Sequence, residues 1–320
     1  MTVHTIAPVA IRVMIATSIL VVLATVAVVL RFIARRKTKN TGIDDWVALA
    51  AYTFLLSVTV CHYLVTGPYG YAGNPQSEFS PEQLRHFLII LYADNLCYTC
   101  CTVTVKMSIT LFLRRVFPTR PIRVITAGLT AILVVWWITV LLFQILSCTP
   151  VVSFWEFERR EHCIDTNMFY DGVAISNVLF DFILLFIPIP MVWRLQMTWQ
   201  RKLQVSFVFL LGGFTIVCSI LRTISLRNLD VNNETGSIWH TGLWTIIECG
   251  VGVICSCLPP MASLFRALSD KVRSSAKRST VRAPKVNDDI KLLDRESGSS
   301  AFRYGRNVHS ASQQGSYMEF

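Results

Sequence analysis

With 320 residues, 53% of them hydrophobic and only 16% charged, this chain departs from soluble proteins, where about a quarter of residues are charged. A mean hydropathy of +0.50 puts more apolar surface into the chain than one aqueous core conceals, so the expected solvent is lipid. The net charge of +10 sits in short clusters between apolar runs, with none of the motifs or aromatic interleaving of a nucleic-acid module. Nucleic acid is therefore excluded as a partner, and the charge is read as a signal of topology.

Crossing about 30 Å of hydrocarbon takes roughly 20 apolar residues at a rise of about 1.5 Å each. Seven runs qualify: Val9–Leu30, Trp46–Val65, Phe87–Leu113, Val124–Leu146, Met168–Trp193, Leu203–Thr223 and Ile238–Phe265. Only helices satisfy every backbone group in lipid without closing a barrel, so the prediction is an all-α membrane domain of seven transmembrane helices over residues 1–266. The first run is long for a signal-peptide core and is followed by the basic cluster Arg31 to Lys39, so it reads as a span rather than a cleaved leader. Residues 267–320 turn rich in Ser, Lys, Arg and Gly and are expected to form a disordered cytoplasmic tail, whose basic start attracts anionic lipid. No internal repeat is visible, which argues against a secondary transporter.

Lys and Arg favour one side of this topology. Arg31, Arg35, Arg36, Lys37 and Lys39 follow the first span, Arg114, Arg115, Arg120 and Arg123 the third, and Arg194, Arg201 and Lys202 the fifth. The positive-inside rule then puts the amino terminus outside and the carboxyl terminus in the cytoplasm. The chain's one Asn-x-Ser/Thr sequon, Asn233-Glu234-Thr235, falls in a connection on the outer side, which makes Asn233 the candidate glycosylation site. Arg114, Arg115, Arg201 and Lys202 become candidates for coupling to a cytosolic partner.

Eight of the ten cysteines lie in or at the ends of spans, where they pack as small apolar residues. Their spacing does not suit zinc, and no metal or other cofactor is expected. Cys148 and Cys163 bracket the outer loop between the fourth and fifth spans, and a bridge between them is the favoured reading. Two free thiols, or Cys97 paired with one of them, are the alternatives. Such a bridge holds Trp155 over the mouth of the bundle.

Six ionisable residues interrupt the apolar spans: Asp94, Lys106, Asp171, Asp181, Arg222 and Glu248. Each costs about 2.5 to 3.5 kcal/mol if left at mid-bilayer, so they are expected to face inward and to pair. Asp94, Asp171, Arg222 and Glu248 form an outer set and are the candidate ligand-binding residues, with Asp171 and Arg222 nearest the boundary. Lys106 and Asp181 lie deeper at matching heights and are expected to form an ion pair. Asn177, one turn from Asp181, shares its helix face and completes an intramembrane polar network. The competing reading of these three is interhelical glue. Gly212-Gly213 is expected to allow close helix approach, and Pro188, Pro190 and Pro259-Pro260 to remove hydrogen bonds and permit kinks near the cytoplasmic ends of their helices.

Several ordered motifs carry a family resemblance: Asp44-Asp45-Trp46 at the second span, Lys106-x-Ser108-Ile109 with Leu111 to Arg115 and Phe117 at the third, and Cys148-x-Pro150 with Trp155 and Cys163. Asn177-x-x-x-Asp181, Ile187-Pro188-Ile189-Pro190, Trp193-x-Leu195-Gln196, Gly212-Gly213-Phe214 with Arg222, and Glu248 with Cys257-Leu258-Pro259 complete the set. In this order they resemble the fungal rhodopsin-domain integral membrane proteins, over about residues 9–266. The resemblance implies a seven-helix protein with the topology of a G-protein-coupled receptor. This chain lacks the long amino-terminal cysteine-rich segment of some receptor-like members and has a short tail. The seventh span carries no lysine for a retinal Schiff base, so a photoreceptor is not expected. The third span ends Phe112-Leu113-Arg114-Arg115, unlike the Asp-Arg-Tyr signature of animal rhodopsin-like receptors.

The functional expectation is a receptor-like protein of the plasma membrane. It would sense an unidentified small molecule in the outer half of the bundle and present the result to a G protein or another cytosolic signalling partner. The alternatives are a membrane-embedded, cyclase-like enzyme using Asp94, Asp181 and Glu248 as acids, and a transporter or accessory protein of a secondary-metabolite pathway. Against catalysis, Lys106 and Arg222 supply cations that would hold the acids ionised; against transport stands the missing repeat.

Overall fold

A computed structural model describes residues 8–37, 39, 41–67, 72–116, 119–148, 150–155, 166–189, 199–229 and 233–281, without the side chains of 166–167, 199–208, 234, 259–260 and 262–281. Its long helices are α1 (Pro8–Lys37), α2 (Ile43–Thr66), α3 (Pro81–Val116), α4 (Arg120–Ile145), α5 (Thr166–Phe186), α6 (Trp199–Arg227) and α7 (Glu234–Val281). All seven are long and apolar enough to cross a membrane. The chain is an all-α, multi-pass membrane protein, as its hydropathy requires.

Two boundaries differ from the sequence expectation. Helix α5 stops at Phe186 rather than continuing towards Trp193. The amide of Ile187 still donates to Ile183 O at 3.1 Å, but Pro188 has no N–H to continue the ladder. In contrast, α7 stays helical through Pro259-Pro260 and on to Val281, past the boundary at 266. The Ala, Leu, Lys and Arg that make 266–281 look like a polar tail are strong helix formers, so intrinsic propensity sustains the backbone there.

Helices α3 and α7 are the interior shafts, with 61% and 67% of their spanning windows buried against 22 to 33% for the other five. The main core is built on small residues that let backbones approach: Ala24, Ala27 and Val28 of α1, Ala51 and Leu55 of α2, Cys101 and Val105 of α3, and Cys249, Val253 and Cys257 of α7. At Gly250 an added Cβ would lie 3.3 Å from Leu20 Cβ, so glycine sets the α1–α7 approach. Gly212 does the same between α6 and α5, against Leu185, while Gly213 faces open space. A second cluster joins Leu129 and Leu133 of α4 to Phe180 and Leu184 of α5. Ile11, Ile15, Ile19, Val22, Val26, Val29 and Ile33 leave an exposed apolar stripe along α1, the face a helix offers to lipid.

A third cluster closes the end of the bundle away from Arg31, Arg35 and Arg115. Ala72 and Phe79 from the α2–α3 connection meet Phe87 and Leu88 of α3 and Ile238 of α7, with Trp155 packed against them. Trp155 also meets Tyr92 of α3, ring centroids 6.0 Å apart. The segment after α4 therefore lies over this mouth as expected. Buried Cys148 at its start is not a free thiol, and Cys163 lies outside the described residues.

Candidate functional site

Five ionisable residues on α3, α5, α6 and α7 converge in the interior. Glu248 sits about 21 Å along α7 and Asp94 about 20 Å along α3, counted from the helix starts at roughly 1.5 Å per residue. Glu248 is 5% exposed. Its Oε1 is the focus of three donors from three helices: the Tyr98 hydroxyl at 3.0 Å, the Asn177 amide at 2.9 Å and the Ser219 hydroxyl at 2.8 Å. Its Oε2 is buried with no partner.

Ser219 connects this acid to a second one. Its hydroxyl also lies 3.1 Å from Asp181 Oδ2 and 3.0 Å from Thr215 O, so its single proton serves one of three acceptors at a time. Asp181 pairs with Lys106 of α3, whose ammonium also donates to Asn177 O at 3.3 Å. The expected ion pair and the shared Asn177/Asp181 face are therefore both present. The separation into an outer set and a deeper network is not, because Asn177 and Ser219 bond to Glu248 and make one continuous system.

Arg222 is buried, not interfacial. Its guanidinium lies 3.7 Å from the Tyr98 ring centroid and its Nε donates to Thr245 Oγ1 at 3.1 Å. The arginine stands five residues before the end of α6, about 7.5 Å in, and its long side chain carries the charge further towards α3. Asp171 does not join the site. Its side chain is 37% exposed and accepts from Arg227 Nε at 2.8 Å. Asp94 faces His62 of α2, with Nε2 and Oδ1 3.7 Å apart, beyond hydrogen-bond reach, and that oxygen has no donor. Gly242 makes room for this imidazole, since a Cβ there would lie 3.3 Å from His62 Cε1.

Tyr98, Ser219, His62 and Thr245 went unmarked in the sequence because hydroxyls and imidazoles are inexpensive in an apolar run. The available signal was spacing: Tyr98 lies one turn from Asp94, and Ser219 lies on the face of α6 that carries Arg222.

A second buried system lies at the basic end. Arg31 is fully buried, donating through Nε to Asp45 at 2.8 Å, through one terminal nitrogen to Asp44 at 2.9 Å, and through the other to Ser256 O of α7 at 2.6 Å. Arg35 repeats the fork, to Asp45 at 3.1 Å and Asp44 at 2.8 Å. Arg115 of α3 reaches Asp44 at 2.7 Å, and Ser108 donates to Asp44 O at 3.1 Å. The free oxygen of Asp45 accepts from Gly42 N at 2.9 Å, closing the start of α2. A Cβ at Gly42 would lie 2.5 Å from an Arg115 nitrogen and 2.6 Å from Asp44 Oδ1, so a larger residue there would displace the Arg115–Asp44 contact.

Arg115, expected to couple to a cytosolic partner, thus holds α3 to α2, while Arg114 beside it is exposed. Arg201 and Lys202 lie in the first turn of α6, with their side chains outside the described residues. Asn233 serves the fold: its Oδ1 accepts from Gly236 N at 3.3 Å, capping α7, and from Gln76 N at 3.0 Å, pinning the α2–α3 connection. Thr235, the third residue of the sequon, is buried and donates to Asn74 O.

Comparison with known proteins places this arrangement in context. A SAT4 family membrane protein of Emericella nidulans is 29% identical over 243 residues, covering 73% of this chain and 60% of that protein. The polyenoic acids biosynthesis gene cluster protein Ba17b of Metarhizium anisopliae is 28% identical, covering 78% of this chain and 71% of the relative. Receptor GIN3 of Arthrobotrys oligospora is 26% identical, covering 79% and 62%. The chain thus spans about three fifths of the length of the first and third of these. No solved structure matches it. The fungal rhodopsin domain matches residues 30–267, which takes in every residue of both buried polar systems, and the chain belongs to the fungal rhodopsin domain family.

Proposed function

We propose that this protein is a receptor of the plasma membrane, amino terminus outside, whose bundle binds a small molecule between α3, α6 and α7 and passes the change to a cytosolic signalling partner such as a G protein. The observation that carries this reading is Glu248. One of its oxygens gathers three donors from three helices, and the other is buried with nothing to bind. A buried carboxylate oxygen without a donor loses about 1 to 3 kcal/mol or more, a cost that a bound donor recovers. A ligand that engages it pulls on the same carboxylate that holds Tyr98, Asn177 and Ser219, and so biases the packing of α3, α5 and α6 against α7. Helix α3 extends from this focus through Lys106 and Ser108 to Arg115 in the basic cluster, giving a continuous shaft between site and surface. A relative called a receptor supports this reading.

The test is affinity selection. Wild-type protein and the Asp94→Asn/Glu248→Gln double variant, both in lipid nanodiscs, are incubated with fungal culture extracts, and retained small molecules are compared by mass spectrometry. Retention by the wild type alone is the expected result. Identical sets on both, with equal stability, would sink the proposal.

The relatives named for biosynthetic gene clusters favour a second reading, an accessory protein of a secondary-metabolite pathway. Crosslinked co-purification from mild detergent separates the two, since a G-protein α subunit favours the receptor and biosynthetic enzymes alone favour the accessory role.

A further inference from the structure

The basic cluster shows how this chain closes a buried guanidinium onto carboxylates: Arg31 meets Asp45 and Asp44 directly at 2.8 and 2.9 Å. Arg222 has the same chemistry at hand and does not close. It is only 8% exposed, and the Tyr98 ring it overlies at 3.7 Å carries the hydroxyl that donates to Glu248 at 3.0 Å and stands one turn from Asp94. Yet among the described residues it forms no ion pair, and only its Nε donates a hydrogen bond. Among the described residues no hydrogen bond engages its two terminal nitrogens, and Asp94 Oδ1 and Glu248 Oε2 are buried without a donor. The three groups lie around Tyr98, which Arg222 overlies, which donates to Glu248 and which stands one turn from Asp94, and each keeps part of its bonding capacity unused. Leaving a buried charge in that state costs several kcal/mol unless something bridges it.

We infer that the place where Arg222, Asp94 and Glu248 meet around Tyr98 is the seat of a zwitterion bearing a carboxylate and an ammonium, an amino acid or a close derivative. This rests on the receptor reading above and adds the class of ligand. The planar fork of an arginine matches a carboxylate in two parallel hydrogen bonds. The ammonium supplies the donors that Asp94 Oδ1 and Glu248 Oε2 lack. Net charge selects against the simpler candidates. Three acids, Asp94, Asp181 and Glu248, stand here against the two cations Lys106 and Arg222, so a plain anion adds one more acid to the set. A plain amine leaves the Arg222 fork empty. A zwitterion adds no net charge and satisfies all three groups. The Tyr98 ring holds the guanidinium by a cation–π contact 3.7 Å from its centroid, which takes up none of the terminal N–H donors.

The experiment uses the full chain in lipid nanodiscs and titrates the standard amino acids, each beside its methyl ester, its decarboxylated amine and its deaminated acid, reading thermal shift and heat of binding. The expected result is an amino acid that binds about tenfold or more tightly than its ester, amine or acid, the loss of one bidentate charged contact. Arg222→Lys then weakens the amino acid but not its amine, and Asp94→Asn weakens the amino acid but not its acid. The ester comparison is made on the wild type, so it decides the matter even if a variant fails to fold. Amines binding as well as amino acids, with no response to Arg222→Lys, would overturn the zwitterion and leave a cation receptor standing. Acids binding alone, or no member of the panel binding, would also overturn it. The receptor reading itself is judged separately, by the extract comparison with the double variant.

Discussion

Arg31 of α1 and Asp45 of α2 form an ion pair in which both side chains are fully buried, 2.8 Å apart. Asp44 and Arg35 extend it, Arg115 adds α3, and Ser256 O adds α7, so one cluster joins four helices at a single level. Breaking such a pair by removing one partner leaves an uncompensated charge.

Asp45→Ala is accordingly expected to destabilise the protein by about 3 to 5 kcal/mol. Arg31→Lys is also costly, because a lysine cannot reproduce a fork that bonds Asp44, Asp45 and Ser256 O together. Thermal unfolding followed by size-exclusion chromatography in detergent measures both. A melting temperature within a degree of wild type for Asp45→Ala would show that the cluster contributes little.

Lys106 and Asp181 make the second closed pair, and a double-mutant cycle isolates it. Lys106→Met and Asp181→Leu should each destabilise, with the double variant more stable than the sum of the two, by a coupling of roughly 1 to 3 kcal/mol. Additive single effects would mean that the two side chains act independently.

Around Glu248, Tyr98→Phe and Ser219→Ala each remove one of three donors and should cost about 1 to 3 kcal/mol. Tyr98→Phe keeps the aromatic face beneath Arg222, so it tests the hydroxyl apart from the stacking. Tyr98→Ala loses both and should be the more damaging of the two. Equal melting temperatures for Phe and Ala at this position would count against the stacked geometry.

Asn233 has two separable roles. As a cap and loop pin, Asn233→Ala should lower stability by about 1 kcal/mol. Gly236→Ala should do so too, since its Cβ would fall 2.5 Å from the Asn233 amide nitrogen. As a sequon, it predicts a gel-mobility shift on glycosidase treatment of protein from a eukaryotic host, lost in Thr235→Val. That shift would also place the α6–α7 connection on the outer face. Its absence would leave Asn233 as a cap alone.

The proposed Cys148–Cys163 bridge encloses about 15 residues, so reduction should destabilise by about 3 kcal/mol. Peptide mapping under non-reducing conditions checks the pairing. Recovery of both residues as alkylated thiols would reject it.

By itself the sequence determined what depends on one helix at a time. Length and hydropathy set seven spans, because backbone groups in lipid have no other partner than their own helix. The high cost of a lone charge made Lys106 and Asp181 seek each other, and a spacing of four put Asn177 beside Asp181. What depends on how helices rotate against one another was decided only by tertiary structure. Azimuth put Arg222 over Tyr98 rather than at the boundary, gave Asp171 to Arg227, and joined two expected groups into one network through Ser219. It also turned basic residues that marked topology, Arg31, Arg35 and Arg115, into the partners of Asp44 and Asp45. Their positions in the sequence show that they lie at the same end of the bundle. Only packing, with small residues at the contacts between α1, α2, α3 and α7, brings their charges within bonding distance.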